Sequence, residues 1–313
     1  MLVAGVDVGG TNIQVGLVDD QHQVLDRKKA ATPTEGPDAI SEAIIGLVGD
    51  LKQEISAIGV GIPGGVHNGR VVYVPNLRGW TEEVDLAGQI SSQSGVAVGL
   101  GNDANVGILG EWLAGAAKGH FDVLGVWMGT GIGGGLILDG RPYNGSLGGA
   151  GEFGHLIVHA GGAMCTCGRR GCVEAYAGRR SMAASATAIV EAGRSTQLFD
   201  IQRKAGKTRP TSKVWAKALD KQDSLAEELF SSAIEAIGVG IASVVNLLDV
   251  EQIVIGGGMA EKLGQDLVDR IAAAARPWML HPNPDLVFDV AQLGDDSGVV
   301  GAAALGRATL IDS

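Results

Sequence analysis

The pattern of apolar and polar positions divides the chain into short runs rich in valine and isoleucine and longer stretches with helical spacing. Short apolar runs bounded by glycine or proline predict buried strands. These runs cover residues 2–8, 13–18, 55–62, 71–74, 96–100 and 252–255. Apolar residues at helical spacing predict helices over 37–51, 104–114, 181–192, 225–248, 261–275 and 298–310. Strands that alternate with helices in this way indicate an α/β protein.

One strand–turn–strand pattern occurs twice. Residues 123–140, VLGVWMGTGIGGGLILDG, align without gaps to residues 3–20, VAGVDVGGTNIQVGLVDD. Trp127 stands where the first copy has Asp7. Two similar domains facing each other would aim both glycine turns at one cleft. We therefore predict a small α/β domain formed by residues 1–117 and 300–313, and a larger one formed by residues 118–299.

Composition restricts the class of protein further. The chain has 313 residues with a formal net charge of −11, and it contains 50 glycines but only 9 prolines. An acidic surface argues against nucleic acid as the main partner, because phosphate backbones need clustered lysine and arginine. No uninterrupted apolar run reaches the roughly 18 residues that span a membrane, and no basic leader precedes the first strand. We therefore expect a cytoplasmic protein without a membrane partner.

All three cysteines lie within one glycine-rich stretch. They are Cys165, Cys167 and Cys172, and His155 precedes them. One imidazole and three thiolates form a complete tetrahedral set for a structural Zn²⁺, with no position left for water. The alternatives are a disulfide with one free thiol, buried thiols without a metal, or His159 as the fourth ligand. A disulfide would suit an exported protein, so the spacing favours zinc.

Two carboxylates bracket this stretch, Glu152 and Glu174. Without other information, two solvated acids would be the ordinary interpretation. However, the motifs E-x-G-H and C-x-C-G-x-x-G-C-x-E closely resemble the signature of the ROK family of sugar kinases and sugar-responsive repressors. The resemblance implies that His155 both binds zinc and contacts the sugar, and that Glu152 and Glu174 contact sugar hydroxyls.

An acidic residue and a glycine turn follow one another at the start of the chain. Asp7 ends an otherwise apolar strand, which costs free energy unless the carboxylate has a partner such as Mg²⁺. A Gly-Gly turn alone is usually a simple hairpin, but DVGGTN resembles the first phosphate motif of ROK and related actin-like kinases. The nucleotide-binding residues implied are Asp7, Gly9, Gly10, Thr11, Asn12, Gly129, Thr130, Gly131, Gly256, Gly257 and Gly258.

Three polar residues at strand ends complete the candidate site. By position alone, an Asp or Asn at the start of the helix near residue 104 would be an N-cap, and Asn76 after a proline would be a turn residue. N-D-A-N followed by Glu111 resembles the ROK active-site segment. That resemblance makes Asp103 the catalytic base, with Asn76 and Asn102 as ligands of sugar hydroxyls.

The resemblance as a whole implies duplicated actin-like (ribonuclease H-like) domains with an interdomain cleft, and an assembly into a homodimer or homotetramer. The implied activity is ATP-dependent phosphorylation of a hexose 6-hydroxyl, with glucose converted to glucose 6-phosphate. Kinases for N-acetylmannosamine, fructose or mannose stay open, as do ADP or polyphosphate as donors. A sugar-responsive regulator is the less favoured alternative, because both the base and the phosphate motif are present. The basic segment 194–213 is expected to be a solvated connection, with a lid near the nucleotide as the alternative.

Overall fold

The computed structural model describes residues 1–313 except Pro75, Asn76, Arg78, Pro282, Asp312 and Ser313, and only the backbone of Tyr73. The chain divides into two compact units. The first contains Met1–Phe121, Gly135–Gly151 and Gln292–Ser313, and the second contains Asp122–Gly134 and Glu152–Ala291. These boundaries differ from the predicted ones, because residues 118–121, 135–151 and 292–299 group with the first unit. Helical periodicity predicted the C-terminal helix, but it gives no information about the loop before that helix. The loop belongs to the same unit as the helix.

The elements follow the predicted alternation. The strands are β1 (Val3–Val8), β2 (Asn12–Val18), β3 (Val24–Ala31), β4 (Ala57–Ile62), β5 (Gly65–His67), β6 (Arg70–Tyr73), β7 (Ala97–Asn102), β8 (Val123–Met128), β9 (Ile132–Leu138), β10 (Arg141–Pro142), β11 (Gln252–Gly256) and β12 (Val287–Val290). The helices are α1 (Pro37–Gly49), α2 (Leu86–Ser94), α3 (Asp103–Ala114), α4 (Val173–Ala177), α5 (Arg179–Glu191), α6 (Leu198–Lys204), α7 (Ser212–Asp220), α8 (Ser224–Leu248), α9 (Gly257–Leu263), α10 (Gln265–Ala275) and α11 (Asp296–Ala308).

Two five-stranded sheets have the same strand order. The first is β3-β2-β1-β4-β7 and the second is β10-β9-β8-β11-β12. In the first, β1 pairs antiparallel with β2 and parallel with β4, which pairs parallel with β7. In the second, β11 pairs parallel with both β8 and β12. The repeated pattern in the sequence therefore marks equivalent strand pairs, β1-β2 and β8-β9, of a duplicated α/β topology, as predicted.

Glycines in the first sheet allow a helix to approach it closely. Gly5, Gly59 and Gly99 lie side by side in the register of β1, β4 and β7. A Cβ atom added at any of the three would overlap a backbone carbonyl oxygen of α11. Part of the high glycine content thus serves helix–sheet packing. The same packing holds α11 against the strands whose ends carry the candidate catalytic residues.

Helix α8 is the long central helix of the second unit. Among the described helices, it is long and apolar enough to cross a membrane by length and composition, and half of its apolar window is buried in the protein. It packs against α4, α5 and α10, and the small residue Gly240 leaves room for the Phe153 ring. These contacts are those of a core helix.

Two local expectations differ from the structure. The helix expected over 261–275 is two helices, because Gly264 between them has a φ of 62° and interrupts the helical path. The segment 194–213 is more than a solvated connection. It contains α6, whose Leu198 and Ile201 are buried. The prediction considered the charges of this segment and did not expect its apolar residues to be buried.

Candidate active site and metal centre

The first glycine turn and the candidate base lie at the same edge of the first sheet. Strands β1, β4 and β7 are parallel, and Asp7 pairs with Gly61, which pairs with Gly101. The carboxyl ends of parallel strands meet at one edge, where α/β proteins usually bind ligands. The turn Gly9–Asn12 follows β1 at this edge, and Asp103 follows β7.

The turn after β1 presents backbone donors. The Gly9 N–H donates to the Asn12 carbonyl over 2.9 Å, and the Thr32 hydroxyl donates to the Gly9 carbonyl over 2.6 Å. Within the described part of the chain, the N–H groups of Gly10 and Thr11 donate no hydrogen bond. Free amides in a tight turn form a cradle for phosphate oxygens, so this turn can do what the sequence predicted.

The environment of Asp7 favours a cation. Burial, followed by the negative charges of Asp103 and Asp295, raises the pKa of Asp7 to about 7, and Lys29 opposes the shift. A Cβ atom added at Gly298 would lie 2.8 Å from Asp7 Cγ, so the first turn of α11 packs against this carboxylate. A divalent cation with oxygen ligands would favour the ionised carboxylate. The residues present therefore fit a Mg²⁺ ion.

The structure separates the roles of Asn102 and Asp103. Asn102 is the N-cap of α3, because its Oδ1 accepts from the N–H groups of Ala104 and Asn105 at 2.9 and 3.1 Å. Its Nδ2 donates to the Gly64 carbonyl at 3.0 Å, which leaves one amide N–H for a ligand. Asp103 is the first helical residue, and its Oδ1 accepts from the Ala104 N–H at 2.9 Å. The capping role considered for Asp103 thus belongs to its neighbour.

The second sheet repeats this arrangement. The turn Gly129–Gly131 follows β8, and the Gly256–Gly258 run starts at the last residue of its parallel neighbour β11. Within the described residues, the N–H groups of Thr130 and Gly131 donate no hydrogen bond, as in the first turn. Gly257 has a φ of 83°, and a Cβ atom there would lie 2.8 Å from the Met128 carbonyl oxygen. Only glycine fits, so Gly257 packs directly against the end of β8, from which the turn Gly129–Gly131 starts.

The four predicted zinc ligands lie together. Single donor atoms of His155, Cys165, Cys167 and Cys172 are all within 4.8 Å of one another. Cys167 Sγ lies 3.7 Å from Cys172 Sγ, and Cys165 Sγ lies 3.7 Å from His155 Nδ1. Zn–S bonds of about 2.3 Å place two sulfurs of a tetrahedron about 3.8 Å apart. The cysteines are free thiols, and the set fits a zinc ion better than a disulfide.

The thiols perturb one another's ionisation. Burial and the hydrogen bonds with Cys167 and Cys165 raise the pKa of Cys172 to about 12, and burial is also the largest cause that raises the pKa of Cys165. Burial opposes ionisation of Cys167 as well, but hydrogen bonds from Arg169 and the other two thiols lower its pKa to about 6. Only one of the three thiols therefore ionises readily without a metal. A bound cation would stabilise the thiolate form of all three cysteines.

His155 has different surroundings on its two ring nitrogens. Nδ1 faces Cys165, whereas Nε2 lies 4.0 Å from Oε2 of the exposed Glu152. The rival ligand His159 is placed elsewhere, with its Nδ1 3.4 Å from the Tyr176 hydroxyl. One nitrogen of His155 can thus bind a metal while the other stays available to a hydroxyl group.

Glu174 connects the cysteine loop to the second glycine turn. Its Oε2 accepts from the Ile132 N–H at 2.9 Å, and its Oε1 accepts from the Thr166 hydroxyl at 3.2 Å. A Cβ atom added at Gly131 would overlap Glu174 Oε2. Glu174 therefore has a bridging role in addition to the predicted contact with sugar.

Sequence reasoning missed three residues of these sites, and it named one that lies outside the described residues. Asp295 acts on Asp7 across a long sequence distance, Thr166 binds Glu174, and Arg179 donates to the turn after β8. None of them belongs to a motif that was singled out, although Thr166 lies between two of the cysteines. The predicted sugar ligand Asn76 is the residue outside the description.

Paired sheets of identical order, each with a glycine turn at its ligand-binding edge, define a duplicated actin-like α/β fold. Comparison with known proteins gives the family. The ROK family model matches residues 3–309, so the chain belongs to the ROK family.

Relatives and solved structures agree with this assignment. The chain is 34% identical to a glucokinase of Streptomyces coelicolor over 315 residues, with 98% of both chains covered. It is 33% identical to an N-acetylgalactosamine kinase of a Shewanella species, with 97% of this chain and 96% of the relative covered. A ROK glucokinase of Streptomyces griseus, solved with glucose and AMPPNP, superposes with a TM-score of 0.86 at 32% identity, covering 98% of this chain and all of the other.

Proposed function

We propose that this protein transfers the γ-phosphoryl group of ATP to the 6-hydroxyl of a hexose, with glucose as the substrate and glucose 6-phosphate as the product. The observation that carries the proposal is the common edge of the first sheet. There, the free amides of the Gly9–Asn12 turn, the cation-demanding Asp7 and the carboxylate of Asp103 come together. Glucokinases are among the relatives that match over nearly the whole chain.

Each residue has a defined part in the proposed reaction. Asp103 accepts the proton of the attacking hydroxyl, and its place at the start of α3 fixes the direction of its carboxylate. The amides of the two glycine turns bind phosphate oxygens, and the Gly256–Gly258 run provides a surface for adenine. Phosphoryl transfer depends mainly on in-line positioning and on stabilisation of the developing charge. Mg²⁺ held near Asp7 would supply part of that stabilisation.

The sugar-binding residues proposed are Asn76, Asn102, Asp103, Glu152, His155 and Glu174. In the described residues, Asn102 keeps one amide N–H, His155 Nε2 faces the Glu152 carboxylate at 4.0 Å, and Glu152 itself is exposed. These groups match the donors and acceptors of sugar hydroxyls. Glu174 contributes to the same site by holding the loop and the second turn together.

We propose that His155, Cys165, Cys167 and Cys172 hold a structural zinc ion. Four protein ligands leave no open position, so the metal takes no part in the chemistry. Cys172 immediately precedes α4, which carries Glu174, and the turn with Glu152 ends at His155. The ion therefore orders three sugar-binding side chains at once.

The 33% identity to an N-acetylgalactosamine kinase makes a 2-acetamido hexose the second candidate substrate. A coupled assay of phosphorylation with glucose, mannose, fructose, N-acetylmannosamine and N-acetylgalactosamine, each with ATP, ADP or polyphosphate, separates the candidates. A kcat/KM for every acetamido sugar below that for glucose supports the primary proposal. A cytoplasmic location and assembly into homodimers or homotetramers stay predictions.

The role of Asp103 is tested by Asp103→Asn. Loss of a general base typically costs ~10²–10⁴-fold in turnover, so kcat should fall by that factor. Glucose affinity measured by calorimetry should change little, because an amide keeps the shape of the side chain. The matched control is Asp85→Asn, which alters the N-cap of α2 and should leave kcat unchanged. If Asp103→Asn keeps turnover close to that of the wild type, Asp103 is not the general base.

A further inference from the structure

Arg179 lies directly against the second glycine turn. Its Nε donates to the Gly129 carbonyl at 2.9 Å, and one terminal nitrogen lies 3.4 Å from Thr130 Oγ1. A backbone hydrogen bond also holds the start of α5 to this turn, because the Arg180 N–H donates to the Thr130 carbonyl at 3.0 Å. The guanidinium is therefore held beside the free amides of Thr130 and Gly131.

A second arginine is placed nearby by the basic segment. Burial, followed by the positive charge of Arg209, lowers the pKa of Arg179. Pro210 and Ser212, which follow Arg209, are buried, and a Cβ atom added at Gly258 would lie 2.8 Å from Ser212 Oγ. Helix α7, which begins at Ser212, packs against α9. The basic segment thus ends on the glycine run at the edge of the second sheet and carries Arg209 towards Arg179.

Among the described residues, neither arginine forms an ion pair with an acid. In the part of the chain that the structure describes, no carboxylate forms an ion pair with Arg179 or Arg209, whereas Arg27, Arg194 and Arg270 each have one. The positive charge of the exposed Arg209 repels that of Arg179, and removing the partly buried Arg179 guanidinium from water costs free energy unless an anion binds it. The remaining donors of Arg179 and the free amides beside it form a site for an anion with several oxygens.

We propose that Arg179 and Arg209 bind the phosphate chain of the phosphoryl donor at the turn Gly129–Gly131. Arg179 contacts the chain from the turn, and Arg209 reaches it from the exposed end of the basic segment. The segment 194–213 thereby gains a function in donor binding. This inference rests on the proposed kinase function, and it adds two side chains that belong to none of the motifs identified in the sequence.

The test measures ligand affinity by calorimetry with the full-length protein, without sugar. The probes are ADP, adenosine and inorganic tripolyphosphate, and the variants are Arg179→Gln, Arg209→Gln and the matched control Arg180→Gln. A hydrogen bond to a charged group typically contributes enough to change affinity about 10- to 100-fold. We expect ADP to bind about 10- to 100-fold more weakly to Arg179→Gln, with adenosine unchanged. Arg209→Gln should show a smaller loss in the same direction, and Arg180→Gln should match wild type.

Each of the other possible outcomes would refute a specific part of the proposal. Equal losses for ADP and adenosine would mean that Arg179 only supports the turn. Unchanged ADP affinity in both Arg179→Gln and the exposed Arg209→Gln would refute the phosphate contact, and a loss for tripolyphosphate alone would refute nucleotide binding there. Wild-type protein that binds neither ADP nor ATP, and phosphorylates no hexose with them, would instead refute the proposed function itself.

Discussion

Glu111 is a fully buried carboxylate that receives four hydrogen bonds, and its replacement by glutamine gives a sharp test of the structure. Its side chain is 0% exposed. Oε1 accepts from the Leu293 N–H at 2.9 Å and the Ser297 hydroxyl at 2.6 Å. Oε2 accepts from the N–H groups of Ala116 and Gln292 at 2.9 and 3.0 Å. This carboxylate therefore joins the end of α3 to the loop that starts α11.

Glu111→Gln keeps the shape of the side chain but replaces one acceptor oxygen with a donor. An NH₂ group in place of Oε2 would face two backbone N–H groups. An NH₂ group in place of Oε1 would face one N–H and a hydroxyl that can turn to accept. The second orientation costs less, and it still leaves at least one buried N–H without a partner and weakens the charged hydrogen bonds. Each such loss costs ~1–3 kcal/mol, so we expect the free energy of unfolding to fall by about 3 kcal/mol.

Scanning calorimetry measures this loss. A change of about 3 kcal/mol corresponds to a fall in Tm of about 6–12 °C for a unit of this size. We expect this fall in the unfolding transition of the first unit, which contains Glu111. The matched control is Glu83→Gln, which removes an exposed ion pair with Arg70 and should cost less than about 1 kcal/mol. A Tm of Glu111→Gln no lower than that of the control would refute the reasoning about this buried carboxylate.

Two further predictions concern the metals. The pKa of Asp7 in the folded protein, about 7, lies above its ordinary value of 3.8, so between these pH values the folded state binds a proton that the unfolded state lacks. Stability in Mg²⁺-free buffer should therefore fall as pH rises from about 4 to about 7; Asp7→Asn should flatten this decline in Tm, and an unchanged decline would contradict the assignment. Cys167→Ser should reduce zinc, measured by plasma mass spectrometry, below one ion per chain and weaken glucose binding before ADP binding. Zinc-free protein with wild-type affinity for glucose would show that the metal does not order the sugar-binding loop.

Local features of the sequence determined the elements and the motifs. The hairpin of β1 and β2, helix α3 and the cluster of three candidate zinc-binding cysteines follow from patterns within short segments. The repeat at residues 123–140 follows from its alignment with residues 3–20, and the choice of His155 over His159 rests on the family resemblance. Periodicity is a property of one segment, and the four ligands lie within one short loop. The family resemblance of that loop also pointed to the architecture, which the matching sheets confirm.

Tertiary structure decided which side chains meet across long distances in the sequence. The pKa of Asp7 depends on Asp103 and Asp295, and Glu174 reaches the N–H of Ile132, 42 residues away. Arg179 binds a turn 50 residues earlier in the chain. No periodicity encodes such pairs, because they depend on how sheets and helices pack. The sequence by itself therefore determined the strands, helices and ligand types, whereas packing alone decided the charge environment of Asp7 and the contacts of Arg179 and Glu174.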